Sequence, residues 1–462
     1  MKLFRKDPQF YKNVFTLALP IAAQSLITIG VNMLDIKMVG KLGDGALVAT
    51  SQANSFINVY HILCMGLGMG ASVLVSRYWG MKKNNPDDVK AAIALKQTVC
   101  LMLRLTIGLA TIFALTTLIA PELIMSTYTT SAEVRELGVR YLQYSVVTFY
   151  FLGLSLVTTI VLRSVGQVQL PLFVSIGAFF VNLIANYTFI FGKFGAPEMG
   201  VAGAGLGTLI ARIFEASIVV GYLLLVDKRI AFKIKDLFMK TGSLLGEYIR
   251  ICIPVLISDG ILAFGMDAVT KVIGHLDDSF AAANSITAIT QQLSSVLVTG
   301  VSQAGAIVTG QTLGMGDKDR TMKNGWQFLG LGLALGLISA LFIIIVKDPV
   351  VMSFKEESEL TKEIAKQLMW AISIIVLFQS TNSIMTKGVL RGGGDTKMLM
   401  FTDNIFLWIV ALPLGLVAGF VLKLPPFWIY ICLKSDQIIK TVWCVFRLRS
   451  GKWIKKVSTG KN

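Results

Sequence analysis

Residues 13–39 read NVFTLALPIAAQSLITIGVNMLDIKMV, an apolar stretch that is long enough to cross a lipid bilayer and yet carries a carboxylate, Asp35, near its end. An acidic side chain inside a membrane helix costs about 2.5 to 3.5 kcal/mol, so we expect Asp35 to face a polar interior or a water-filled cavity. Gln24, Thr28 and Asn32 fall on the same helical face as Asp35. This stretch therefore predicts a transmembrane helix with one polar stripe, whose other faces meet lipid or packing partners.

The features of this stretch return in the second half of the chain. Pro20 aligns with Pro254 at a shift of 234 residues, and VLRSVG (161–166) aligns with VLRGGG (389–394) at a shift of 228 residues. Other aligned pairs are Lys37 with Lys271, Gly40 with Gly274, Asp44 with Asp278 and Gly66 with Gly300. The order of these matches along the chain indicates an internal duplication.

The composition is that of an integral membrane protein. Of the 462 residues, 54% are hydrophobic and only 15% are charged, which is too apolar for an ordinary soluble protein. The net charge of +16 does not indicate nucleic-acid binding, because the basic residues gather in alternate connections between apolar segments. The five cysteines lie inside apolar runs without metal-ligand spacing, and no pattern indicates a catalytic nucleophile with its base. We therefore expect a protein that is not an enzyme, with no cofactor, no resident metal and no nucleic-acid partner.

Twelve apolar segments of about 20 to 30 residues each predict twelve transmembrane helices. They cover residues 13–37, 46–77, 90–120, 133–160, 167–192, 200–226, 247–274, 280–312, 321–346, 362–388, 398–420 and 426–447. Six segments fall in each half, and an even number gives both halves the same orientation. The sequence thus predicts an all-α membrane protein with two parallel six-helix repeats around a central cleft. Its predicted parts are an N-lobe over residues 1–226, a cytoplasmic inter-lobe loop over 227–246, and a C-lobe with a basic tail over 247–462.

The basic residues orient the predicted helices, because they concentrate in every second connection. These connections contain Lys2, Arg5, Lys6 and Lys12; Arg77, Lys82, Lys83 and Lys90; Arg163; Lys228, Arg229, Lys233, Lys235 and Lys240; Lys318, Arg320 and Lys323; Lys387, Arg391 and Lys397; and the tail from Arg447 to Lys461. Cytoplasmic connections of membrane proteins carry an excess of Lys and Arg. Both termini are therefore predicted to be cytoplasmic, in a multi-pass protein of the cell (inner or plasma) membrane.

Polar residues inside the predicted spans are candidates for a functional site. In the first half, Asn182 and Asn186 share a face of the fifth span, and Thr208 follows a glycine cluster on the sixth. For the two asparagines, structural hydrogen bonding between helices is an equal alternative to a functional role.

The second half carries its own carboxylates within the predicted spans: Asp259, Asp267 and Asp403. An ionisable group at membrane depth is by default a candidate for function, as an ion or substrate ligand. Structural pairing with a base such as Lys271 is the alternative for Asp259 and Asp267. Because Asp259 and Asp267 are eight residues apart on one helix, they are separated by about 12 Å and cannot form one close carboxylate pair.

Taken together and in order, these motifs resemble the multidrug and toxic compound extrusion (MATE) family over nearly the whole chain. The motifs that carry the resemblance are Pro20 with Asp35 and VGKLG (39–43), SRYWGMKK (76–83), NLIANYTFIFG (182–192) with GVAGAGLGTL (200–209), TGQTLGMGD (309–317), LRGGGDTK (390–397) and FRLRSGKW (446–453). The resemblance implies two six-helix lobes around a central cleft and alternating access between two openings. It also implies efflux of cationic or amphipathic small molecules, driven by inward movement of H+ or Na+.

The resemblance also assigns roles to individual residues. Asp35 is similar to the carboxylate of the family's first lobe, with Asn182 and Thr208 as its companions, and Pro20 is similar to a proline at which the first helix bends. Asn186 departs from the pattern, because several members carry a second aspartate at its position. In sodium-coupled branches the seventh span supplies an acidic group, for which Asp259 or Asp267 would serve.

These considerations predict a secondary active transporter, a cation-coupled antiporter whose coupling ion is H+ or Na+. We expect a monomer that is embedded in membrane lipid and needs no cofactor beyond the coupling ion. A lipid-linked oligosaccharide flippase of the same superfamily is the alternative, and it would require a cleft lined with basic residues. A membrane-embedded enzyme is a third possibility, which would require a clustered catalytic set within the spans.

Overall fold

The computed structural model describes residues 7–354 and 358–455, and these residues form helices without any β-strand. In chain order the α-helices are α1 (Pro8–Gly40), α2 (Asp44–Asn84), α3 (Val89–Ile119), α4 (Pro121–Ser126), α5 (Ala132–Ser164), α6 (Gln169–Phe191), α7 (Val201–Leu225), α8 (Gly242–Leu276), α9 (Asp278–Ser294), α10 (Val296–Gly314), α11 (Lys318–Ser353), α12 (Glu359–Ser383), α13 (Thr396–Ile405), α14 (Leu412–Leu416), α15 (Pro426–Leu433) and α16 (Ser435–Ser450). The predicted cytoplasmic cations Lys2, Arg5 and Lys6, and those of the tail beyond residue 455, lie outside the described residues.

Residues 23–252 form one compact unit, here called the N-unit. Its helices begin and end where the sequence provides caps. The Asp88 side chain accepts a hydrogen bond from the backbone N–H of Ala91 at the start of α3, and Ser131 caps α5 in the same way. Gly192 ends α6 with a φ of 63°, a left-handed conformation that glycine adopts without steric cost. Of these three helices, α6 carries Asn182 and Asn186 of the predicted first-half site.

Residues 7–22, 253–354 and 358–455 form a second compact unit, here called the C-unit. The start of α1 belongs to its core, since the ring of Phe10 meets that of Phe328 edge-on at 4.9 Å. Gly300 allows α10 to lie against this part of α1, because a Cβ at Gly300 would lie 2.4 Å from the backbone oxygen of Ala18.

The chain passes from one unit to the other inside two helices. α1 changes unit between Ala22 and Ala23, and α8 changes unit between Cys252 and Ile253. Pro20 and Pro254, the aligned prolines of the two halves, each lie within two residues of such a change. These units do not cover the same residues as the predicted lobes, 1–226 and 247–462. The lobe boundaries follow from the sequence repeat and stay a prediction.

Several membrane helices are irregular. α9 and α10 meet at a 47° bend beside Ser295, and Lys434 interrupts the helical path between α15 and α16. The described part of the second half contains three π-helical segments: Ile384–Leu390, Phe406–Ala411 and Val417–Val421. The second of them directly precedes the turn that holds Pro413, whose missing N–H and bulky ring disturb the α-helical hydrogen-bond ladder.

Ten helices within the described residues are long and apolar enough to cross a membrane, and the bent pair α9 and α10 adds one more if it forms a single span. The all-helical multi-pass membrane fold is thus confirmed, whereas the count of twelve spans is not. The segment predicted as the twelfth span, 426–447, forms α15 and α16, neither of which is long enough to cross alone. The parallel repeat and the central cleft stay predictions.

The connection between α7 and α8 is bound to α3. A short 3-10 turn, Ile234–Phe238, lies within it, and Lys96 forms a 2.9 Å ion pair with Asp236 of this turn. Arg104 Nε donates a hydrogen bond of 2.6 Å to the backbone oxygen of Leu237. The predicted inter-lobe loop therefore contains an ordered element of the N-unit.

Candidate functional site

Asp35 lies near the end of α1 and is partly buried in the N-unit. The Asn186 side-chain nitrogen donates a hydrogen bond of 2.6 Å to Asp35 Oδ1 and lies 3.2 Å from Asn182 Oδ1. Asn186 Oδ1 is buried and has no hydrogen-bond partner within the described residues. The structure thus brings together one carboxylate and two amides that the sequence singled out, and their functional role stays a prediction.

Close packing of α6 and α7 positions this group. A Cβ at Gly207 would lie 2.1 Å from Asn186 Oδ1, so only glycine lets α7 pass at this point. The next residue, Thr208, contacts the phenol of Tyr141, which also donates a 3.1 Å hydrogen bond to Asn54 Oδ1. Thr208 therefore joins the site through Tyr141, a residue of α5 that the sequence analysis did not single out.

A cation lies near this carboxylate. Arg212 of α7 interacts electrostatically with Asp35 and forms a 2.6 Å ion pair with Glu215, one turn further along α7. His61 lies within electrostatic range of both Arg212 and Glu215. One guanidinium thus stabilises two carboxylates, and its charge opposes the binding of a further fixed cation beside Asp35.

Gln24 fixes the middle of α1 within the N-unit. Its side-chain nitrogen donates to Ser175 Oγ at 2.6 Å and lies 3.3 Å from the backbone oxygen of Pro171, both on α6. Arg163 of α5 donates a hydrogen bond to Gln24 Oε1. Gln24 and Asp35 therefore both reach α6, whereas Thr28, which lies between them, is exposed. The predicted polar stripe contacts α6 at its two ends.

An equivalent arrangement occurs in the C-unit. Arg391 holds Asp259 through two hydrogen bonds, of 2.8 and 3.2 Å. Arg163 and Arg391 are the arginines of the two aligned VLR motifs. Arg163 bonds to Gln24, four residues beyond Pro20, and Arg391 bonds to Asp259, five residues beyond Pro254. The structural alternative that the sequence left open for Asp259 is thus realised, with Arg391 as the partner instead of Lys271.

The remaining second-half candidates have different surroundings. Asp403 is buried, with Lys440 Nζ 3.5 Å from its Oδ1 and Ser258 Oγ 3.4 Å from its Oδ2. Asp267 is exposed on α8, and its side chain makes no hydrogen bond or ion pair with any residue that the structure describes. Asp259, Asp267 and Asp403 therefore do not form one common site, although Asp259 and Asp403 are linked through Ser258 and the charge of Arg391.

Within residues 7–354 and 358–455, no group of three or more His, Cys, Asp or Glu side chains is arranged to hold a metal ion. The chemistry that the described arrangement supports is the gain and loss of a charge at Asp35, beside amide donors and a guanidinium.

The model of the MatE family matches this chain twice, over residues 20–188 and over residues 254–437. The chain belongs to the MatE family. The two matches begin at Pro20 and Pro254, the two prolines that the repeat alignment pairs. Members of this family are transporters, so this MATE chain is a multi-pass membrane transporter of the multidrug efflux type.

Known proteins resemble this MATE chain over almost their full length. The probable multidrug resistance protein NorM of Thermotoga maritima is 24% identical over 97% of this chain and 94% of its own length. The uncharacterized transporter YisQ of Bacillus subtilis is also 24% identical, over 96% of this chain and 95% of its own length. A solved structure described as the outward-facing conformation of a multidrug resistance MATE family transporter has a TM-score of 0.85, with 18% identity and coverage of 98% of both chains.

Some buried charges of this MATE protein were interpreted wrongly from the sequence. Arg77 and Arg391 were counted among the cations of cytoplasmic connections, but they are only 2% and 4% exposed. Lys440 was not singled out, although it is 1% exposed and lies between two carboxylates. Lys440 could have been singled out from the sequence, because it is an ionisable residue within the predicted span 426–447. Asp436 lies one turn before Lys440 on the same helix, but Asp403 and Asp259, the partners of Lys440 and Arg391 on other helices, could not be found this way because they lie far away in the sequence.

Proposed function

We propose that this protein is a secondary active transporter that exports cationic or amphipathic small molecules by alternating access, in exchange for an inward-moving cation, H+ or Na+. The observation that carries the proposal is the hydrogen bond from Asn186 to Asp35 within a transmembrane helix of a MATE family member. A carboxylate within a membrane span costs free energy, and a functional role explains why one is present here. The NorM relatives are described as multidrug resistance proteins, which supports small-molecule export here too.

H+ is the coupling ion that the arrangement favours. Asp35 is the single carboxylate at this point, Asn186 directs a donor toward it, and Arg212 already supplies a positive charge nearby. A sodium ion needs several oxygen ligands and would be repelled by the guanidinium, whereas a proton needs only one carboxylate oxygen. The neutral amide of Asn186, where other family members carry an aspartate, further favours H+ over Na+.

Protonation of Asp35 would change the packing of α1. In the charged form, Asp35 accepts the hydrogen bond from Asn186 and attracts Arg212. A proton removes that charge and weakens both interactions, so it lowers the energy of a second packing of α1 relative to the first. Proton entry from one side and proton release to the other would then drive the transporter between its inward-open and outward-open conformations.

The experiment is transport of a fluorescent cation in proteoliposomes on which proton and sodium gradients are imposed separately. We expect an inward proton gradient to drive efflux in the unmodified protein and Asp35→Asn to abolish this acceleration. Asp44→Asn, which removes the same charge at the exposed start of α2, is the matched control and should transport normally. Undiminished proton-driven transport by Asp35→Asn would refute the role of Asp35, and transport driven by sodium alone would reassign the coupling ion.

The flippase alternative is not favoured. It requires basic residues that are free to bind pyrophosphate, whereas Arg391 and Lys440, two buried cations of the C-unit, are paired with carboxylates. Membership in a family of transporters also supports a non-enzymatic function. We propose, as part of the same function, a monomer in the cell (inner or plasma) membrane with both termini in the cytoplasm.

A further inference from the structure

The Asp35 site does not explain an arginine on the exposed side of α3. Arg104 is exposed, and it shares a helical face with Ile107, Leu115 and Leu118, which are exposed too. Beyond Arg104, α3 contains no further charged residue up to its end at Ile119, over about 22 Å of helix. An exposed apolar face of this length is typical of contact with the hydrocarbon of a bilayer. Arg104 therefore lies where the lipid-facing surface of α3 begins.

The 3-10 turn Ile234–Phe238 fixes the orientation of this arginine. Arg104 Nε donates a 2.6 Å hydrogen bond to the backbone oxygen of Leu237, and the thiol of Cys100, one turn earlier on α3, donates to the same oxygen at 3.3 Å. The two terminal nitrogens of Arg104 make no hydrogen bond with any residue that the structure describes. The guanidinium is thus held at one nitrogen, and its outer edge remains available to a ligand.

The connection between α7 and α8, which contains this turn, adds further positive charge. Residues 226–241 include five basic and two acidic side chains. Both acidic side chains, Asp227 and Asp236, already have partners within the N-unit. Lys233 and Lys235, in contrast, are exposed and form no ion pair within the described part of the chain. The turn that holds Arg104 therefore carries positive charge that this connection does not balance.

A phosphodiester fits the free edge of the guanidinium. Two parallel N–H groups of an arginine match two oxygens of a phosphate. Phospholipid phosphates lie at the boundary between hydrocarbon and water, which is the level at which the apolar face of α3 begins. That face offers a surface for acyl chains, which a soluble phosphate would leave unused. The charge of Lys233 and Lys235 further favours a phospholipid with a net negative charge over a zwitterionic one.

We propose that Arg104, Lys233 and Lys235 form a binding site for an anionic phospholipid, where α3 meets the 3-10 turn. The guanidinium binds the lipid phosphate, the two lysines stabilise the negative charge of the headgroup, and the acyl chains lie along the exposed apolar face of α3. In the orientation predicted from the sequence, this lipid belongs to the cytoplasmic leaflet. The site is separate from the Asp35 group and binds lipid as a ligand of the transporter, not as an exported compound.

The test measures lipid binding to the purified full-length protein in detergent by native mass spectrometry. The two probes are dioleoylphosphatidylglycerol, which is anionic, and dioleoylphosphatidylcholine, which is zwitterionic. We expect the unmodified protein to bind the anionic lipid at least about tenfold more tightly. Arg104→Gln should weaken binding of the anionic lipid by about tenfold, because it removes both the charge and the paired donors. Arg104→Lys keeps the charge without the paired donors and should retain part of the affinity.

A pair of lysine substitutions tests the site without removing the bonds between the turn and α3. Lys233→Gln combined with Lys235→Gln should weaken binding of the anionic lipid by about tenfold or more. The matched control combines Lys318→Gln with Arg320→Gln, which removes two exposed cations, also two residues apart, at the start of α11. We expect the affinity of this control to stay within about twofold of the unmodified protein.

Equal affinity of the unmodified protein for the two lipids would refute the site. An equal loss of affinity in the two double variants would also refute it, because the attraction would then come from the net charge of the protein. Displacement of the anionic lipid by inorganic phosphate at equal concentration would assign the site to a soluble anion and overturn the proposal. If a thermal melt shows that Arg104→Gln is unfolded, the lysine pair decides the question. The measurement requires no transport, so its result is independent of the proposed antiport.

Discussion

The surroundings of Asp35 depend on how closely Asn186 approaches α7. Helical periodicity predicted that Asn182 and Asn186 share one face, and the family resemblance implied that Asn182 and Thr208 accompany Asp35. The sequence did not indicate Tyr141 or Arg212, whose side chains reach the site from other helices. Periodicity within one segment predicts which face is polar. It does not predict which residues of another segment meet that face, since helix packing determines that.

Gly207→Ala tests this close approach. The new methyl group would overlap Asn186 Oδ1, so we expect a loss of about 1 to 3 kcal/mol in the free energy of unfolding and a displaced Asn186. Proton-driven efflux should fall more than the amount of folded protein does. Gly221→Ala, on the same helix with no atom within 4 Å of the new Cβ, is the control for helix propensity. Equal thermal stability and transport in the two variants would contradict the packing described for Gly207.

At the scale of elements, the existence of the long membrane helices could be predicted from apolar length, but their interruptions could not. The break at Lys434 and the bend at Ser295 contain neither glycine nor proline, so no local signal marks them. The π-helical segment Phe406–Ala411 is different, because Pro413 follows it and gives a recognisable cause.

The 3-10 turn between α7 and α8 yields a pH prediction. Burial acts to raise the pKa of the Asp236 carboxyl, but the ion pair with Lys96 and the hydrogen bond from the Lys233 N–H outweigh burial and lower it. A lowered pKa in the folded state stabilises the protein above the ordinary pKa of about 4, and this contribution is lost as the pH falls below it. Asp236→Asn should therefore cost about 1 kcal/mol in the free energy of unfolding at neutral pH and progressively less in acid.

Thermal unfolding of the unmodified protein and of Asp236→Asn as a function of pH measures this difference. The control is Asp87→Asn, on the exposed connection between α2 and α3, which should show no such dependence. A stability difference that grows on acidification would contradict the lowered pKa of Asp236.

At the scale of the whole molecule, the duplication was visible in the sequence, and the family model matches both halves. The sequence predicted two lobes joined by the longest loop, and those boundaries stay a prediction. In the structure the chain changes from one compact unit to the other within α1 and within α8, each time close to a proline. Proline inside a helix removes a hydrogen bond and favours a bend. Both unit changes lie close to a proline inside a helix, so the two prolines share the same structural context.

Pro254→Ala is predicted to stiffen α8 at its change of unit. Restoring the backbone N–H should raise the thermal unfolding temperature and slow efflux, because a helix without its bend resists repacking. Pro349→Ala, inside α11 and away from any change of unit, should raise stability without slowing efflux. The measurement is the initial rate of dye efflux beside a thermal melt. An unchanged or faster rate in Pro254→Ala would contradict a bend that serves transport.

The segment that joins α7 to α8 is not a free linker, because Lys96 and Arg104 of α3 bond to its 3-10 turn. Affinity tags or reporter domains inserted between residues 227 and 241 would disturb the bonds between this turn and α3. Phe238, the last residue of this turn, is exposed, so a binding protein can reach the N-unit there. An antibody fragment raised against this turn would therefore bind an ordered part of the N-unit, and such a reagent suits structure determination.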